Sequence, residues 1–231
     1  RAGMPFVASV ACAFVCVVAV CLIAGGVARA QDFGRRERAA DILHYDIRIH
    51  PDEGTRSLRG DVRVDFRMFE DTARALRLDA VGMRFDSVFV DGRSAPFVYD
   101  GAIIAVALPE TSERAQRRQV RMVYECAPQR GMYFIGPDAS FPRDRRQIWT
   151  QGQGEDNRHW FPCYDYPNDK ASSELRVTVD SVLVTVGNGR LVERRNNGDG
   201  SSTWHWMQEQ AHSSYLIMLA VGDYAVFDDA G

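Results

Sequence analysis

Residues 44–68 read HYDIRIHPDEGTRSLRGDVRVDFRM, and their alternation decides the fold class. Tyr45, Ile47 and Ile49 alternate with Asp46, Arg48 and His50. A Pro51-Asp52-Glu53-Gly54 turn follows. Then Leu58, Gly60, Val62, Val64, Phe66 and Met68 alternate with Arg59, Asp61, Arg63, Asp65 and Arg67. Successive side chains of a strand point to opposite faces, so this pattern predicts a hairpin with one apolar face and one wet face.

The same period recurs outward from the hairpin. Leu76 and Leu78, then Val88-Phe89-Val90 before Asp91-Gly92, read as strands with a turn. Phe97 to Tyr99 and Ile103 to Leu108 flank Asp100-Gly101, a hairpin signal. Val120 to Tyr124, Leu175 to Val179, Leu183 to Val186 and Thr203 to Met207 continue the series, and Tyr215 to Tyr224 reads as a nearly continuous apolar strand. Trp204 and Trp206, two apart on one strand, are expected as core or edge cover. No amphipathic helical stripe exceeds about three turns. The expectation is a single all-β domain over residues 31–231, a saddle-like antiparallel β-sandwich of many short strands.

Composition agrees with a folded protein: 231 residues, 45% hydrophobic and 26% charged, with 28 basic and 31 acidic residues and a net charge of -3. Nothing basic enough to collect phosphates is present, so no nucleic-acid partner is expected. Lys170 is the only lysine. Phe6 to Ile23 form an apolar run broken only by Ser9, followed by Gly25-Gly26 and by Ala28-Arg29-Ala30. Small residues at Ala28 and Ala30 suit signal peptidase, so residues 1–30 are expected to be a signal peptide. About 18 apolar residues would also just span a bilayer, which leaves a retained anchor through residues 6–23 as the alternative. Either way the chain is expected to be exported. Without residues 1–30 the remainder holds 26 basic and 31 acidic groups. Cys126 and Cys163 then remain, an even number that could pair but makes no disulfide framework.

The stretch from Cys126 to Lys170 lacks periodicity and is dense in Gly, Pro, Asp and aromatic residues. Long irregular segments on β scaffolds are where function concentrates. Gln151 and Gln153 flank Gly152, and on extended backbone their amides point the same way. Each offers an acceptor and two donors, suited to an ammonium or a peptide, or to tying the loop to its own backbone. Metal chemistry has little support. His44, His50, His159, His205 and His212 never share an i, i+4 spacing, and no CxxC pair exists. Ser172-Ser173 and Ser213-Ser214 lack a nucleophile-elbow context. Cys163, next to Pro162 in an aromatic cluster, reads as packing rather than a reactive thiolate. Neither a catalytic residue nor a metal ligand is expected in this chain.

Gln151-Gly-Gln153, Arg158, Trp160-Phe161-Pro162-Cys163, Asp165, Pro167 and Lys170 together resemble a block of the aminopeptidase N / leukotriene-A hydrolase family of zinc metallopeptidases. In that family the block runs Q-x-E/Q, an Arg, F-P-C-x-D-x-P and Lys. His44 to Ile47, Gly131-Met132-Tyr133, and Tyr215-Leu216 through Val221-Gly222-Asp223-Tyr224 match further family segments in order. The likeness covers about residues 40–231. It departs at Gln153, where many members have Glu, and at Tyr166, where an acidic residue is common.

The resemblance implies the N-terminal β domain of an exported zinc aminopeptidase. The family's G-A-M-E-N and HExxH motifs, carried by its zinc domain, are absent from this chain. The catalytic domain is thus expected downstream, with the zinc, and this piece alone should not hydrolyse anything. Its partners would be that domain and peptides with a free N-terminus. By motif position Gln153 is the amine-contacting residue and Gln151 supports it or faces the substrate backbone. Arg158, Pro162, Cys163, Asp165, Pro167 and Lys170 would build the loop. The competing expectation is a non-catalytic β-sandwich that binds partners or serves as a scaffold.

Overall fold

The computed structural model describes residues 36–70, 72–109, 116–137 and 145–227. The expected signal peptide or anchor lies outside them. Among the described residues fifteen strands run β1 Ala40–Asp52, β2 Ser57–Met68, β3 Ala75–Asp79, β4 Met83–Val90, β5 Arg93–Ser94, β6 Phe97–Tyr99, β7 Ile103–Ala107, β8 Arg118–Cys126, β9 Met132–Ile135, β10 Gln147–Thr150, β11 Ala171–Asp180, β12 Val184–Gly187, β13 Arg190–Asn196, β14 Ser201–His212 and β15 Leu219–Gly222. Among the described residues the only helices are two 3-10 turns, Asn157–His159 and Ser214–Leu216. The chain is nearly all β, in open sheets, as its alternation requires.

The strands form an eight-stranded sheet (β13-β14-β11-β1-β2-β8-β4-β5), a four-stranded sheet (β12-β15-β10-β9) and a three-stranded sheet (β3-β7-β6). The opening hairpin pairs from Ala40 against Met68 to Asp52 against Ser57. A register shift between Ile42 and His44 lets both Ile42 and Tyr45 face inward, each 2% exposed. An odd spacing would otherwise put them on opposite faces. Among the described strands pairing is antiparallel with one exception: β1 and β11 run parallel, from His44 beside Ser172 to Ile49 beside Val177. The all-antiparallel expectation is corrected there. Parallel neighbours need a long connection, and here the whole of β2 to β10 provides it.

Buried rows from all three sheets meet in one apolar cluster. It joins Val62, Phe66 and Met122 of the large sheet, Leu78 and Ile104 of the three-stranded sheet, and Ile148 and Val221 of the four-stranded sheet. The large sheet's other face is a charge ladder. Asp46 accepts from Arg48 at 2.9 Å and Arg63 at 3.1 Å and pairs with Arg176, while Arg121 grips both oxygens of Asp61. Burial alone would raise the Asp46 carboxyl, but these guanidinium groups hold it below its ordinary range.

Other expectations shift. Tyr215 to Tyr224 is not one strand: Ser214–Leu216 is a 3-10 turn and only Leu219–Gly222 pairs. The strand Arg190–Asn196, exposed along its whole length, carries no alternating apolar signal. Cys126 and Cys163 are both buried free thiols, not a disulfide.

Candidate functional site

The irregular segment begins where β10 ends. Thr150 closes the strand by accepting the Leu219 N–H through its hydroxyl at 2.8 Å, and the Gln151 N–H reaches the Gly131 carbonyl at 2.9 Å. The chain then turns over residues 153–156, and Asp156 N–H returns to the Gly152 carbonyl at 3.1 Å. Gln151, Gln153 and Gly154 are exposed, whereas Gly152 between them is buried. Gly154 (φ 84°) and Glu155 (φ 76°) both adopt left-handed backbone. For Glu155 that conformation costs about 1–2 kcal/mol, and its carboxylate is held by Arg158.

What fixes this turn is buried polar bonding. Asn157, fully buried, donates from Nδ2 to the carbonyls of Ser214 (2.6 Å) and Ile217 (3.0 Å) and accepts the Trp160 indole N–H at 2.7 Å. Those carbonyls belong to the 3-10 turn and the residue after it, so a side chain takes bonds that a strand would have used. Gly131 (φ 76°) lies against the Asp156 carbonyl with no room for a side chain.

Behind the turn Arg158 grips Asp165. The Arg158 backbone N–H donates to Asp165 Oδ2 at 3.1 Å, and its Nη2 donates to the Asp165 carbonyl at 2.9 Å. Its guanidinium also lies 3.6 Å from Asp79. Asp79 in turn accepts from Arg36 at 2.7 Å and from the Asp165 N–H at 2.9 Å. Ser214 Oγ supplies a further donor to Asp165 at 3.1 Å. Burial raises the Asp165 carboxyl above its usual range against the pull of these donors.

The rest of the segment is core. Trp160, Phe161 and Cys163 are wholly buried, and Phe161 meets Tyr45 edge-on at 5.7 Å. Gly60 leaves room for the Tyr124 ring, whose hydroxyl donates to the Trp160 carbonyl at 2.8 Å. Asp79 and Cys163 exchange backbone hydrogen bonds of 2.7 and 3.0 Å, which seats the loop on β3. Burial pushes the Cys163 thiol well up, so it is packing, as its neighbours suggest.

Among the residues singled out in the sequence, Arg158, Cys163 and Asp165 come together in this anchored loop with buried Pro162. Pro167 is exposed, its carbonyl accepting Ser213 Oγ at 3.3 Å. Lys170 is exposed, with its backbone N–H on Asp169 at 2.9 Å. The sequence reading passed over Asn157, Asp79 and Asp169, and weighed Ser214 only as a nucleophile. Asp169 accepts the Ile42 N–H at 3.0 Å and pairs with Arg38, tying the loop's exit to β1.

Neither Gln151 nor Gln153 has a side-chain hydrogen bond to another described residue, so the amides do not tie the loop down. Both point donors and acceptors toward solvent. His159 is half-buried, its ring 3.9 Å from Asp156, and burial lowers its pKa. Among the described residues no three His, Cys, Asp or Glu side chains form a metal-binding group.

A family model described as Peptidase M1 N-terminal domain matches residues 42–216. Human aminopeptidase B is 29% identical over 221 residues, which is 85% of this chain and 33% of that protein. Chicken transcription initiation factor TFIID subunit 2 is 30% identical over 105 residues, 44% of this chain and 9% of that protein. A two-domain M1 zinc metallopeptidase crystallised with L-tryptophan superposes with a TM-score of 0.70 at 23% identity, covering 80% of this chain and 43% of that one. The chain spans about a third of the length of the aminopeptidase B proteins it matches.

Proposed function

Because the chain belongs to the Peptidase M1 N-terminal domain family, we propose that it is the N-terminal domain of a zinc aminopeptidase. In this reading it has the family's saddle-like sandwich, and its Gln151–Gln153 turn receives the free amino terminus of a peptide. The zinc belongs to a following domain, and so does the hydrolysis. The single observation that carries the reading is the pairing of exposed, unbonded amides at Gln151 and Gln153 with a backbone pinned by Asn157 and Arg158. A site that binds by hydrogen bonds needs its groups held in place and unpaired before the ligand arrives.

An α-ammonium carries three donors, and the side-chain carbonyl of Gln153 accepts one of them. A neutral amide adds no charge, and a charge-assisted bond is about twice as strong. The acid that matches the ammonium charge therefore comes from the following domain. Export is part of the proposal, supported by the apolar run Phe6 to Ile23 and the small residues Ala28 and Ala30.

The test is the reading frame that encodes this chain. HExxH should appear within about 100–150 residues beyond Gly231. Unrelated sequence in that interval would remove the proposal. The match to TFIID subunit 2 favours one second reading, a binding or scaffold module without a peptidase. It predicts that the frame continues without HExxH.

A further inference from the structure

On the outer face of the eight-stranded sheet, away from the Gln151–Gln153 turn, a serine, a histidine and an acid are brought together. The parallel register sets His44 of β1 directly beside Ser172 of β11. Ser172 Oγ lies 2.7 Å from His44 Nδ1. The other ring nitrogen, Nε2, faces Glu174 Oε1 at 3.7 Å. Glu174 is itself held, by the Arg176 guanidinium and by His205, whose Nε2 lies 2.8 Å from the second carboxylate oxygen.

A hydroxyl within hydrogen-bond reach of a base, with the base turned toward a third group, is the arrangement of an activated nucleophile. Such a set is recognised by geometry and not by local sequence. Ser172-Ser173 therefore gave no sign of it, because His44 lies 128 residues away in the chain.

Proton positions follow from the neighbours. A serine hydroxyl carries one proton, and two acceptors lie within its reach. His44 Nδ1 is the nearer at 2.7 Å, and the Leu43 carbonyl the farther at 3.3 Å. An ionised carboxylate only accepts, so Glu174 favours a proton on Nε2 and leaves Nδ1 to take the one on Ser172. The backbone is irregular on both strands here. β1 shifts its register on β2 between Ile42 and His44, and β11 shifts on β14 between Ala171 and Ser173. Irregularities of this kind re-aim side chains and are common beside active sites.

The surroundings suit the charge that an attack would create. Burial alternates from Asp169 to Glu174, so Lys170, Ser172 and Glu174 share the outer face. Lys170 is exposed, and its ammonium has no partner among the described residues. A cation two residues from the hydroxyl stabilises an oxyanion forming on an ester carbonyl. Ser173 turns the other way and is 4% exposed.

We propose that Ser172 is a nucleophile with His44 as its base, and that it accepts the acyl group of a small carboxylic ester. Ser172 Oγ bonds to the ester carbonyl carbon while its proton passes to His44 Nδ1. The bond from that carbon to the alcohol oxygen breaks, and His44 gives the proton to the departing alcohol. The products are acyl-Ser172 and free alcohol. This reaction is independent of the zinc chemistry proposed above and of any following domain.

A fluorophosphonate tests the site on the 231-residue chain, since it forms an Oγ–P bond, expels fluoride and needs the same proton transfer. Mass mapping of the native protein should find the phosphonyl group on Ser172 at least about tenfold more than on any other serine. In urea that preference should vanish, an arm that requires no variant. His44→Ala should slow labelling of Ser172 about a hundredfold, the lower end of what a positioned base contributes, with the melting temperature within a few degrees of wild type. Free imidazole should then restore part of the label, which a lost packing contact would not allow. Native protein without label on Ser172 overturns the proposal. So does equal labelling of Ser172 in urea or in His44→Ala, and so does a loss in His44→Ala that imidazole leaves unchanged.

Discussion

Gly152 lies against the side-chain amide of Asn157 so closely that a β-carbon on it would stand 2.6 Å from Nδ2. The same amide holds the carbonyls of Ser214 and Ile217. One buried side chain thus sets the spacing between the segment that carries Gln151 and Gln153 and the segment leading into β15. The glycine is a requirement of packing rather than of φ, since no positive φ is recorded for it.

Gly152→Ala should therefore push the turn off its anchor. An overpacked site of this kind costs about 1–3 kcal/mol. Urea unfolding should show a lower midpoint with an unchanged slope. An unshifted midpoint would mean that the turn has slack which the structure does not show.

Arg158→Met should be more damaging, because it leaves Asp165, 0% exposed at its side chain, without its cation. Removing one partner of a buried pair costs about 3–5 kcal/mol. The sign with pH follows from the raised Asp165 carboxyl. A group raised in the fold favours the protonated form, so its contribution is full below its unfolded pKa and is lost as pH rises through the folded one. Losing Arg158 raises it further. The gap between wild type and variant should thus be wider at about pH 7 than at about pH 4, measured by thermal melting. A gap independent of pH would show that Arg158 acts only by packing.

The outer charge ladder should respond in the opposite sense. Asp46 is held below its ordinary value by Arg48, Arg176 and Arg63 against burial. Its contribution is present above the unfolded pKa and lost as pH falls through the folded one. Asp46→Asn should lower the melting temperature at neutral pH and flatten its decline between about pH 5 and about pH 2. A parallel decline in both proteins would contradict this.

How much of this was legible depended on what each residue reports locally. The β1–β2 hairpin was readable because Tyr45, Ile47 and Ile49, and then Val62, Val64 and Phe66, keep period two against a polar face. The β6–β7 hairpin was readable at Asp100-Gly101, where Asp100 Oδ1 accepts the Ala102 and Ile103 N–H groups at 2.9 and 2.7 Å. The parallel register of β1 on β11 was not, because it pairs His44 with Ser172 through contacts that leave no local trace. The break at Ser214 was hidden for the same reason: Asn157, far back in the chain, takes the carbonyls. In the loop, spacing pointed to Gln151 and Gln153 and the family block to Arg158 and Asp165. Asn157 and Asp79 carried no pattern, since single buried polar residues gain their partners only in three dimensions.

The cysteines give a clean chemical check. Burial pushes the Cys126 thiol up to about 12 and Cys163 well above its usual value. Native protein treated with iodoacetamide at about pH 8 should carry no label on either residue by mass mapping, and both should react in urea. Native labelling of Cys163 would show that the Trp160–Tyr164 segment opens readily.

The central claim is that Gln153 holds a peptide's free amino terminus. It is tested most directly by kcat/KM of the longer product of this reading frame on matched free-amine and N-acetylated peptides. Gln153→Ala should lower the free-amine value about tenfold or more, equivalent to about 1.4 kcal/mol of transition-state stabilisation, and leave any residual activity on the acetylated peptide unmoved. Equal values for wild type and variant on the free-amine peptide would contradict the account.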